Sequence, residues 1–219
     1  MRRMTIVLTV IALAALTAAP AAAGSPPERQ STDVLAFADL SDVGQAKLLR
    51  THNGVAATAR AQGIPEGVYT MWWVVWNNPE GCATPHRCGE GDLFDLEGDT
   101  GLAIGFAGGD AVGGNGKLQI AAYLREGKTL RGFPYPEFGS VGLSLPETSL
   151  VDSEHAEIHL VLRGHGDRIP GMVATQLRTF NGGCVYDPPI TGSEPAYGRP
   201  GPNQCSDQFF AVFPSVDTP

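Results

Sequence analysis

Basic side chains are scarce in this chain: 15 Lys and Arg stand against 23 Asp and Glu in 219 residues, a formal net charge of -8 with a pI near 5.0. That shortage argues against a surface that tracks nucleic-acid phosphates or an anionic membrane, since both need clustered positive charge. Charge of either sign is thin, at 17% of residues. After the first twenty residues no apolar run approaches the ~20 residues that a membrane-spanning helix needs. There is no Gly-x-Ser-x-Gly elbow and no complete Gly-x-x-x-x-Gly-Lys-Ser/Thr loop. The commonest sequence signs of an α/β-hydrolase and of a nucleotide-binding P-loop are therefore missing. No internal repeat of fixed period is visible either.

What the chain does have is 28 Gly and 17 Pro. Both are costly inside helices, so a helical bundle is a poor fit. The apolar share, 42%, is too large for a disordered chain. A loop-rich, mostly β fold suits these proportions. Length favours one domain.

The first 23 residues read as an address. Met1-Arg2-Arg3-Met4 is a short basic start, Thr5 to Ala19 carries no charge, and Pro20 precedes Ala21-Ala22-Ala23. Small residues at both positions of an A-x-A site predict a secretory signal peptide (1–23) cleaved after Ala23. The expected location is secreted or periplasmic, with no membrane span once the signal is removed. Residues 24–33, polar and carrying Pro26-Pro27, read as a mobile leader. Residues 34–219 read as a single β-sandwich domain.

Cys82, Cys88, Cys184 and Cys205 all follow the signal. An even number in an exported chain predicts two disulfides. Three pairings are open, and short loops favour Cys82–Cys88 with Cys184–Cys205. A rival is a metal site built on Cys82, His86 and Cys88, although five residues between the cysteines exceed the usual zinc-knuckle spacing.

Short apolar or alternating runs separated by turn residues mark candidate strands at 55–62, 68–77, 102–107, 112–124, 156–163, 175–180 and 208–213. Gly113-Gly114-Asn115-Gly116 has hairpin-turn composition between two of them. Leu40 to Arg50 reads as a short helix or an unassigned stretch. Connections at 132–146 and 187–202 are rich in Pro and Gly. In the second run Trp72, Val74 and Trp76 share one side and Met71, Trp73 and Val75 the other, so that strand is expected to be central and covered twice. From Ala156 to Arg163, Ala156, Ile158, Leu160 and Leu162 form an apolar side, and His155, Glu157, His159, Val161 and Arg163 the opposite one. The expected fold is mostly β: an antiparallel sandwich, Greek-key or Ig-like, with long Pro/Gly-rich loops and two disulfides.

The run Trp72-Trp73-Val74-Val75-Trp76-Asn77-Asn78-Pro79, then Cys82, then Ala156-Glu157-Ile158-His159-Leu160-Val161 with Arg163, His165 and Gly166, then Gly182-Gly183-Cys184, resembles a family of secreted bacterial proteins with no established activity. More distantly, histidines on a strand of a secreted sandwich are similar to chordin-type and copper/zinc superoxide dismutase-like domains. The His-x-His pair of the dismutases is not matched, because three residues separate His155 from His159. The resemblance implies a fold and an exported location, and no catalytic residue.

Three groups could carry chemistry. His155, Glu157, His159 and His165 offer imidazole and carboxylate ligands suited to zinc or copper. On a strand, however, His155 and His159 are separated by roughly 13 Å, too far for one ion. The alternative is a polar strand face with Glu157 paired to Arg163 or to a neighbouring strand. Glu90, Asp92, Asp95, Glu97 and Asp99 could supply calcium ligands, against the alternative of a solvated acidic loop. Trp72, Trp73 and Trp76 could stack on sugars, although their split between two faces favours core packing. The balance points to a non-enzymatic role that sequence describes only as binding, or as an envelope or extracellular component. A metal-binding protein and a hydrolase using acidic residues are the alternatives. No cofactor is expected, the partner is unknown, and a monomer is anticipated.

Overall fold

A computed structural model of the chain describes residues 27–93, 99–131, 148–185 and 198–216. The signal segment, the 132–146 connection and most of the 187–202 connection lie outside the described residues. Eight strands form one antiparallel sheet: β1 (Glu28–Ala36), β2 (Asp42–Thr51), β3 (Gly54–Gln62), β4 (Gly67–Trp76), β5 (Leu102–Val112), β6 (Lys117–Arg125), β9 (Glu157–Gly164) and β10 (Ser206–Phe213). Two-residue strands β7 (Thr129–Leu130) and β8 (Thr148–Ser149) pair with each other.

The eight strands lie in the order β5-β4-β9-β10-β1-β2-β3-β6, and the terminal strands β5 and β6 pack against each other without a backbone ladder. The result is a nearly closed barrel, and this corrects the expected two-sheet sandwich. Alternation along a strand reports which face is buried, but not whether the sheet stacks on a second sheet or curls on itself. The Gly113–Gly116 turn does connect two strands, closed by Gly116 N–H donating to Gly113 O at 2.9 Å. Those strands do not zip into a hairpin. β5 pairs with β4, and β6 with β3.

Small inward residues on β5 let the barrel close. Gly105 pairs with Trp73 and Gly108 with Met71, both core residues. A Cβ on Gly105 would stand 2.7 Å from the Leu130 side chain, and one on Gly108 would stand 2.8 Å from Ile120. Leu130 from β7 and Ile120 from β6 thus fill the room that β5 leaves. Where the ladder is missing, Asp110 bridges the seam by accepting from Gln119 N–H at 3.1 Å.

All eight strands contribute to the interior, in which Trp73, Met71, Leu48, Leu160 and Phe213 are fully buried. As expected, β4 is covered on both faces: every one of its ten residues is buried. Three other expectations change. The stretch 40–50 is strand β2 rather than a helix, and from Glu28 onward the supposed leader is strand β1. The expected strand at 175–180 is a short turn, α1 (Val173–Gln176), followed by a loop. The two disulfides are Cys82–Cys88 and Cys184–Cys205, which removes the metal rival built on Cys82, His86 and Cys88.

At the end of the barrel where β9 begins, Arg50 points inward and is 1% exposed. Its guanidinium donates to the carbonyls of Ser153, Ala156 and Pro214 at 2.6–2.9 Å and to Gln30 Oε1 at 2.9 Å. Burial pulls its pKa down to about 10, so it remains charged at neutral pH.

Candidate functional site

The outer face of β4, β9 and β10 is apolar as well. Cross-strand register aligns Ile104, Val74, His159 and Val212 in one row, and Phe106, Trp72, Val161 and Phe210 in the next. Phe37, just beyond β1, stacks on Phe210 with ring centroids 4.6 Å apart. All of these residues except Phe106 line a groove of about 460 Å³. Crossing five strands at the usual spacing of about 4.8 Å, it extends roughly 19 Å.

Each disulfide holds one wall. On the first side stands the segment from Cys82 to Leu93. Asp92 knits it together, accepting from Ala83 N–H and Gly89 N–H, both at 2.7 Å. On the opposite side Phe180 leans over Trp72, ring centroids 5.2 Å apart and nearly perpendicular. Arg163 fixes that wall: it lies 4.0 Å from the Phe180 ring centroid, donates to Phe180 O at 2.8 Å and to Asn181 Oδ1 at 2.7 Å, and pairs with Asp207 at 2.9 Å. The Cys184–Cys205 bridge ties this loop to the start of β10.

Replacing Cys82 and Cys88 together by alanine should cost about 2 kcal/mol, the chain-entropy expectation for so short a loop. The check is the denaturation midpoint of the double variant. An unchanged midpoint would mean that Asp92 alone holds the wall.

His159 lies at the floor of the groove, with Glu157 buried behind it. Glu157, fully buried, accepts from Cys88 N–H at 3.0 Å and from His159 Nε2–H at 2.7 Å, both through Oε1. A carboxylate only accepts, so Nε2 carries a proton and donates it in this bond. Nδ1 has no hydrogen-bond partner among the described residues. His159 lies against the edge of Trp76, ring centroids 4.4 Å apart. Two further atoms here are buried and unpaired among the described residues: Trp76 Nε1 and Glu157 Oε2.

The four residues proposed as metal ligands do not converge. Glu157 and His159 are brought together, through a direct hydrogen bond. His155 pairs with Glu80 at 2.5 Å, outside the groove. His165 lies beyond the far end of β9, buried between Thr70 Oγ1 at 2.9 Å and Gly182 O at 3.0 Å. Its neighbours Cys184 and Cys205 are already bonded to each other, so their sulfurs are not free thiolates. Arg163 pairs with Asp207 rather than with Glu157. In the acidic loop Asp92 is 6% exposed and occupied by backbone N–H groups, while Asp95 and Glu97 lie outside the described residues.

The tryptophans split as their alternation requires: Trp73 enters the barrel core, and Trp72 and Trp76 join a second cluster outside it. Phe180, Asp207, Phe210 and Val212 are groove residues that the sequence reading did not single out. One signal was present. From Phe209 to Phe213 β10 is apolar on both faces, like β4, which marks a strand whose outer side is also covered.

Comparison with protein-family models, with curated proteins and with solved structures finds no match to this chain.

Proposed function

We propose that this is an exported, non-enzymatic binding protein that takes a small, largely apolar molecule in the groove outside its barrel. The observation that carries the reading is the make-up of the groove: a mostly aromatic and aliphatic lining with His159, Asp207 and Glu90 as its polar side chains, at a volume typical of small-ligand sites. The packed barrel interior leaves the outer face as the binding surface. Two disulfides, one per wall, suit a rigid site in an oxidising compartment. Together with the signal-like first 23 residues they support a location outside the cytoplasm. Catalysis is not part of the reading, because among the described residues no nucleophilic side chain is hydrogen-bonded to the Glu157–His159 pair.

The test is titration with N-phenyl-1-naphthylamine, a neutral probe that fluoresces when it leaves water. Wild type should enhance its emission saturably. Val161→Glu, which puts a charge on the groove floor, should weaken binding at least tenfold, whereas Val151→Ser, at a site exposed elsewhere, should leave it unchanged. Absence of enhancement in wild type, or equal binding by Val161→Glu, would sink the proposal.

A further inference from the structure

We infer that the protein has a second binding surface, a stripe of cations on the outer face of β1, β2, β3 and β6 that holds an acidic polysaccharide. Strand order puts this face on the other side of the barrel from the groove, so the inference does not depend on the groove's ligand. The chain as a whole has 23 acids against 15 bases, yet this face reverses the ratio. It carries Arg29, Lys47, Arg60, Lys117 and Arg125, and as acids Asp33 and Asp42, the latter accepting from Gly44 N–H at 2.8 Å. Register sets four of the cations on one diagonal. Arg29 faces Leu49, which is two residues from Lys47; Lys47 faces Thr58, two from Arg60; Arg60 faces Gln119, two from Lys117. Diagonal neighbours of this kind stand ~7–8 Å apart, so the stripe runs roughly 20 Å across four strands.

Opposite charges placed across from each other stabilise a solvated sheet face. This face forgoes them: the cross-strand partners of the four cations are Leu49, Ser31, Thr58, Gln45, Gln119 and Gln62, all uncharged. The four cations are exposed, and none makes an ion pair or a side-chain hydrogen bond among the described residues. Their charge is therefore available to an anion from outside. Arg29, Ser31, Lys47 and Thr58 share a shallow depression of about 600 Å³, where hydroxyls sit beside the cations and suit the hydroxyls of a sugar. Tyr123, 54% exposed and tethered by its hydroxyl to Asn53 O at 3.2 Å, presents an aromatic ring on the same face. Other polyanions fit less well. Duplex DNA carries one charge per ~1.7 Å, far denser than the stripe, and meets the repulsion of a net-acidic protein. An anionic membrane calls for apolar side chains to insert, and among the described residues Tyr123 is the one large hydrophobic exposed on these four strands. An acidic polysaccharide spaces its carboxylates by whole sugar rings and surrounds them with hydroxyls, which matches separated cations set among Ser, Thr and Gln.

The experiment is fluorescence anisotropy of a labelled oligogalacturonate, long enough to span the stripe, titrated with the full chain. Binding should saturate, weaken as added salt screens the charges, and be absent for a labelled neutral maltooligosaccharide. Lys47→Gln combined with Arg60→Gln should weaken it by about tenfold, the worth of two exposed charge contacts. Arg87→Gln, which removes an exposed cation outside the stripe, should leave it within about twofold. Lys47→Arg combined with Arg60→Lys keeps both charges and should also stay close to wild type, which separates lost charge from a damaged fold. Binding of N-phenyl-1-naphthylamine should be the same in all three variants, because the groove lies on the other face. No binding of oligogalacturonate by wild type, or equal binding by the double glutamine variant, would overturn the inference. Tighter binding of a single-stranded oligonucleotide or of phosphatidylglycerol vesicles than of oligogalacturonate would overturn it too, since the stripe would then serve a different polyanion.

Discussion

Replacing Arg50 by methionine should destabilise the protein by about 4 kcal/mol, a large share of the ~5–15 kcal/mol typical of a folded domain. The expectation comes from what the guanidinium leaves behind. Its NH groups serve Gln30 Oε1 and the carbonyls of Ser153, Ala156 and Pro214, with Phe213 O at 3.4 Å as a weaker fifth. These acceptors belong to the start of β1, the turn into β9 and the exit from β10, so one side chain closes an end of the barrel. Methionine fills much of the volume and donates nothing, leaving buried carbonyls without donors at ~1–3 kcal/mol each, in part recovered by relaxation. Arg50→Lys keeps the charge but loses the planar fork, and should cost about half as much. Denaturant titration is the measurement. A shifted midpoint with an unchanged slope reads as lost stability, and a loss under 1 kcal/mol for Arg50→Met would show that water replaces the guanidinium without penalty.

Arg50 also marks a limit of what the sequence revealed. In Lys47-Leu48-Leu49-Arg50 the apolar pair between two cations resembles a helical stretch. As strand β2 the same residues alternate, Leu48 and Arg50 inward and Leu49 outward, and most of the acceptors that justify the inward arginine are carbonyls more than a hundred residues away. Strand β1 was hidden for a related reason. Of its nine residues only Val34 is buried, because the strand pairs along its length with β2 and meets β10 only at Leu35 and Ala36. Strands with a strong apolar side, such as β3, β4, β9 and β10, were legible because burial imposes the two-residue period. Closure of the barrel was not, since it depends on which distant edges meet.

The site was half legible in the same sense. Alternation put Glu157 and His159 on one face, and the structure pairs them there. It could not show that the face is roofed. The roof comes from two irregular segments, 82–93 and 180–184, whose positions are set by disulfides and by Arg163 rather than by any periodic pattern. A polar face read as solvated thus becomes the floor of a groove, and Glu157 passes from a surface ion pair to a buried carboxylate that aligns His159.

The second large effect is one of pH, and it centres on His165. Protein stability should fall by about 3 kcal/mol from this residue alone as pH drops from 6.5 to 4. The imidazole is fully buried, and its pKa is lowered to about 4, chiefly by loss of hydration, with the nearby Arg163 charge adding to the effect against the opposing pull of Gly182 O. The neutral ring fits its surroundings: Nδ1–H donates to Gly182 O, and Nε2 accepts from Thr70 Oγ1, which in turn accepts from Trp72 Nε1–H. Protonating Nε2 would turn the Thr70 hydroxyl away and place a charge in that apolar setting. The unfolded chain has no such obstacle and takes up its proton near pH 6.5. Below that pH the unfolded state therefore binds more protons than the folded one, so this contribution is complete above pH 6.5 and is lost on descent through the window to pH 4. Because many carboxylates also titrate toward the lower end, the measurement is a difference. His165→Gln should be less stable than wild type at pH 7.5, and the gap should narrow or reverse by pH 4.5 as the wild type alone meets the cost of protonation. Parallel pH dependences for the two proteins would show that the imidazole titrates in place without disturbing the fold.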